Sequence, residues 1–87
     1  MSLKHTDRLA DIVAALAEFV GRLGLAPGDQ AALQAELDML RTQMLWQPDP
    51  AVLAACLRRV RGLLAPAHDN RLARGAVEEI DAILGEE

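Results

Sequence analysis

The side chains that could act as nucleophiles are few in this chain of 87 residues, and none lies in a catalytic pattern. Ser2 is the only serine and Cys56 the only cysteine. Cys56 falls on an apolar stripe between Leu53 and Val60, where a thiol behaves as a small hydrophobic side chain rather than as a reactive thiolate. We therefore predict a structural role for Cys56.

The two histidines are the other residues suited to acid–base chemistry or metal binding. His5 lies near the N-terminus. His68 precedes Asp69, and the two look like a histidine base with a carboxylate that orients it. The sequence places no nucleophile beside this pair, and a solvated loop is the alternative interpretation. Metal-ligand spacings and glycine-rich phosphate loops are both missing from the sequence. We predict a non-enzymatic protein with no catalytic residue, no metal and no cofactor.

Three arginines, Arg58, Arg59 and Arg61, form the only basic cluster. On a helix their side chains spread over about 160° of the outer surface instead of forming one stripe. Together with Arg71 and Arg74 they define a candidate basic patch for an acidic partner. The alternative is a solvated face whose arginines pair with carboxylates of the same chain.

A second candidate surface lies on the second predicted helix. Met39 and Trp46 are seven residues apart, so they share a helix face, which Ala32 and Ala35 flank. This face points about 120–140° away from the apolar stripe that begins at Leu33. Tryptophan and methionine are frequent in protein interfaces, so we predict an interface here. The alternative is that Trp46 folds over the end of the protein as a plug.

Four apolar stripes with steps of three and four residues, separated by Pro27, Pro48 and Pro66, predict an all-α protein. Short connections favour a small antiparallel, up-down-up-down four-helix bundle, and the length fits a single domain spanning 1–87. The predicted helices cover about 6–23, 27–46, 50–64 and 70–84.

Local signals mark the ends of these helices. Gly24 suits the left-handed position after the first helix. Asp49 suits the N-cap of the third helix, and either Asp69 or Asn70 suits the N-cap of the fourth. Gly75, inside the fourth helix, either permits a close helix approach or weakens that turn.

Composition limits the classes of function. The formal net charge of −4 argues against nucleic-acid binding and against attachment to an anionic membrane. The sequence has no apolar run near the ~18–20 residues that span a bilayer. A single cysteine suits a reducing compartment, so we predict a cytoplasmic protein. The arginine-rich composition with one lysine is consistent with a bacterial source.

These observations leave three hypotheses for function. The first is a protein-interaction module that forms a homodimer or other homo-oligomer through the Met39/Trp46 face. The second is a small acidic inhibitor or adaptor, of the immunity-protein, antitoxin or antagonist kind, that binds one larger protein. The third is a DNA-binding regulator that uses the helix carrying Arg58, Arg59 and Arg61.

Overall fold

The computed structural model describes residues 6–46 and 49–85, and these residues form four α-helices. Short 3₁₀ turns, Val20–Arg22 and Ala65–Ala67, follow the first and third helices. The predicted all-α four-helix bundle is confirmed. The helices are α1 (Thr6–Phe19), α2 (Pro27–Leu45), α3 (Pro50–Leu64) and α4 (Arg71–Gly85).

The helices close into a ring in chain order. Each helix contacts the next one along the chain, and α1 also contacts α4. The connections are short, so successive helices run in opposite directions, as in an up-down-up-down bundle. The molecule measures 31 × 22 × 18 Å along its principal axes.

The ends of three helices differ from the prediction by a few residues. The first helix was expected to reach Leu23, but α1 ends at Phe19 and continues as a tighter 3₁₀ turn. Such turns satisfy carbonyl groups at a helix end that have no partner within the helix. Trp46 lies outside α2, and α4 begins after Asn70 rather than at it. Gly24, with φ of +75°, takes the predicted left-handed conformation.

Side-chain caps begin α3 and α4. The Asp49 Oδ1 atom accepts a hydrogen bond of 2.9 Å from the Ala51 backbone N–H, which confirms Asp49 as the N-cap of α3. Of the two candidates for α4, the cap is Asn70. Its Oδ1 atom accepts hydrogen bonds from the N–H groups of Leu72 (2.9 Å) and Ala73 (3.1 Å).

The predicted apolar stripes meet in one core. Several apolar residues of the helices, among them Ile12, Met44 and Leu63, are only partly buried at the edge of this core. Ala54 and Ala73 are buried as well, although their small side chains gave no signal in the sequence. The buried cluster consists of Leu9, Val13, Leu16, Leu23, Leu33, Leu37, Leu40, Leu53, Cys56, Leu57, Val60, Leu64, Ala73, Ala76, Ile80 and Ile83.

Candidate protein-interaction surface

The four residues predicted to form an interface are all exposed, three of them on α2 and the fourth directly after its last residue. They are Met39, Trp46, Ala32 and Ala35. Met39 is 46% exposed and Trp46 is 81% exposed. The opposite side of the same helix is buried in the core. The helix therefore presents apolar side chains both to the core and to solvent.

The last turn of α2 determines the backbone position of Trp46. Its backbone N–H donates a hydrogen bond of 3.2 Å to the Thr42 carbonyl, while its own φ of −102° and ψ of −86° leave the helical region. The hydrogen bond fixes the backbone position of Trp46 at the last turn. The indole stays in solvent, so the structure does not support the alternative in which Trp46 plugs the end of the bundle.

Leu45 is a third exposed apolar residue, and the sequence analysis missed it. Its side chain is 81% exposed. Leu45 borders an apolar groove between α1 and α2, together with Ala10, Ala14 and Met44. A signal was present in the sequence, because Leu45 lies about 100° around the helix from Met44 and therefore off the core stripe.

A shallow depression occupies the N-terminal half of α2. It is floored by small side chains and bordered by polar ones: Pro27, Gln30, Ala31, Gln34, Ala35 and Asp38. The depression and the exposed apolar residues lie on the outer side of one helix. We call this side the α2 outer surface and define it by Ala31, Ala35, Met39, Thr42, Leu45 and Trp46.

The α2 outer surface carries little charge. Between positions 30 and 46 the exposed charged residues are Asp38 and Arg41, whose side chains lie 4.0 Å apart. Asp29, in the first turn of α2, is a third exposed charge on this helix, but the charges of α2 have both signs, whereas the exposed charges of α1 and of α3 have one sign. Three acidic residues are exposed on α1, three arginines on α3, and five charged residues on α4. Another apolar surface can therefore approach α2 with little desolvation of charge.

Two arginines of the predicted basic patch form ion pairs with carboxylates of other helices. The Arg59 Nε atom lies 2.7 Å from Glu36 Oε1 of α2, and the Arg61 Nε atom lies 2.5 Å from Asp81 Oδ1 of α4. The hydrogen bonds to these carboxylates raise the pKa of both guanidinium groups. Arg58 also has an interaction partner. For Arg59 and Arg61 the arrangement matches the alternative in which the arginines pair with carboxylates of their own chain.

Cys56 is fully buried, as its predicted structural role requires. Burial raises the pKa of its thiol, and the negative charge of Glu36 raises it further, against the opposing effect of the Arg59 guanidinium. The Arg59 Nη2 atom lies 3.3 Å from the sulfur. The thiol is therefore held protonated beneath an ion pair that joins α2 to α3.

The remaining candidates for chemistry are dispersed. His68 Nε2 lies 3.4 Å from Asp69 Oδ1, with both side chains largely in solvent. Ser2 and His5 lie outside the described residues. Among residues 6–46 and 49–85, no group of three or more His, Cys, Asp or Glu residues is arranged to hold a metal ion.

An open groove of about 490 Å³ lies between α1 and α4. Its lining includes Ile12, Leu16 and Leu72, together with an Arg8–Glu79 ion pair of 2.6 Å. The groove thus has an apolar part and a charged part, which also includes Asp11, Arg71 and Glu78. None of the large apolar residues that are exposed in the described chain lies in this groove.

The fold and this surface define the protein as a small four-helix bundle with one weakly charged, partly apolar helix face in solvent. Comparison with protein-family models, with curated proteins and with solved structures gave no match to this chain. In the part of the chain that the structure describes, none of the helices combines the length and apolar character needed to cross a membrane.

Proposed function

We propose that this protein is a non-enzymatic protein-interaction module that self-associates through the α2 outer surface. One observation carries the proposal. The large apolar side chains that are exposed in the described chain, Met39, Leu45 and Trp46, all lie between positions 39 and 46. Clustered exposed apolar side chains mark interaction sites, whereas single scattered ones do not.

Burying these side chains supplies a driving force for association. Removing a side chain such as Leu or Met from water contributes about 1.5–3 kcal/mol, and tryptophan is frequent among the residues that dominate interface energetics. Association loses translational and rotational freedom, which offsets much of this gain. A weak and reversible complex is the expected result.

The charge distribution favours a second copy of this chain as the partner. Two molecules of net charge −4 repel each other unless the surfaces that meet carry little charge. The α2 outer surface meets that condition, because Asp38 and Arg41 offset each other. The free thiol of Cys56 supports a cytoplasmic location as part of this proposal.

Sedimentation of the wild-type protein between micromolar and millimolar concentration tests the proposal. We expect a monomer–dimer equilibrium with a dissociation constant on the order of tens of micromolar. Trp46 is the only tryptophan, so its fluorescence emission should shift to shorter wavelength as the dimer forms. A wild type that stays monomeric throughout this range would contradict self-association.

Substitutions on α2 localise the contact. Trp46→Ala and Met39→Glu should each weaken dimerisation at least tenfold while leaving the thermal unfolding midpoint of the monomer nearly unchanged, because neither side chain is part of the buried core. Ala82→Glu adds the same charge to an exposed position of α4 and is the matched control. If Ala82→Glu weakened the dimer as much as Met39→Glu, general charge repulsion would explain the effect and the α2 surface would not.

A further inference from the structure

We draw no further inference here: the strongest candidate, the open groove between α1 and α4 with Ile12 and Leu72 in its lining, carries charges of both signs along its sides, and nothing in the structure shows what covers it.

Discussion

The Asn70 side chain joins the end of the first helical segment to the start of α4. Its Nδ2 group donates a hydrogen bond of 3.2 Å to the Arg22 carbonyl, while its Oδ1 atom caps α4. One side chain thus satisfies backbone groups at two helix ends that are 48 residues apart in sequence. Neither Asp69 nor another carboxylate can do both, because a carboxylate has no N–H to donate.

Replacing Asn70 should separate these two roles. Asn70→Ala should lower the free energy of unfolding by about 1–2 kcal/mol, because the cap and the bond to Arg22 are both lost. Asn70→Asp should lower it less, because the carboxylate still caps α4 and only the contact with the Arg22 carbonyl is lost. Urea unfolding followed by circular dichroism measures both changes. Equal losses for the two variants would show that the bond to Arg22 contributes most of the effect.

Leu33 and Leu45 form a matched pair on α2, since one is fully buried and the other is 81% exposed. Leu33→Ala should lower the free energy of unfolding by about 2–5 kcal/mol through lost burial and the cavity left behind. Leu45→Ala should change it by no more than about 0.5 kcal/mol. Chemical denaturation at a concentration where the protein is monomeric gives both values. Similar losses at the two positions would contradict the two-sided description of α2.

Replacing Gly75 and replacing Gly24 with alanine should change the free energy of unfolding in opposite directions. A Cβ atom at Gly75 would meet no atom within 4 Å, so no neighbouring helix approaches closely there. The other interpretation, that Gly75 weakens this turn of α4, is the one that agrees with the structure. Gly75→Ala should raise the free energy of unfolding by about 0.5–1 kcal/mol. Gly24→Ala should lower it by about 1 kcal/mol or more, because φ is +75° there. Thermal unfolding of both variants measures the contrast, and a destabilised Gly75→Ala would contradict it.

The sequence predicted the four helices well because their ends carry strong local signals. Proline, Asp49 and Gly24 act through their own backbone and side-chain chemistry, which neighbouring elements hardly alter. The choice between Asp69 and Asn70 needed the structure, because the decisive contact is made to Arg22, far along the chain.

The candidate site was less predictable than the fold. Helical spacing placed Met39 outside the core, but it did not show that the Trp46 side chain would remain in solvent at the helix end. Helical spacing also could not predict that Arg59 pairs with Glu36 and Arg61 with Asp81, because each of these ion pairs joins two different helices. Contacts between elements depend on helix positions that local patterns do not define.

The Cys56 thiol should make stability fall at alkaline pH. Its pKa is raised in the folded state, so the unfolded chain loses the thiol proton first as the pH rises. The associated stability is fully present below the unfolded pKa of about 8.5 and is lost as the pH rises through the folded value. The expected slope above pH 8.5 is at most about 1.4 kcal/mol per pH unit. The chain has no tyrosine and one lysine, so few other groups titrate in this range.

Unfolding measured between pH 7 and 10 on the wild type and on Cys56→Ala checks this prediction. The substitution should lower stability at pH 7, through the cavity that it leaves, but should remove most of the decline above pH 8.5. Reaction of the native wild type with a thiol reagent should be slow compared with the unfolded chain. An equally steep decline in Cys56→Ala would assign the pH dependence to another group.

The ion pairs of Arg59 and Arg61 predict weak interaction with nucleic acid. A DNA-binding surface needs arginines that are able to exchange counterions for phosphates, and these two are already bound to carboxylates. We expect no binding of duplex DNA at 50 mM salt and micromolar protein by fluorescence anisotropy. Asp81→Asn, which removes the carboxylate partner of Arg61, serves as a comparison and should increase any residual binding. Wild-type binding that weakens steeply with salt would instead favour a DNA-binding regulator, since counterion release produces that dependence.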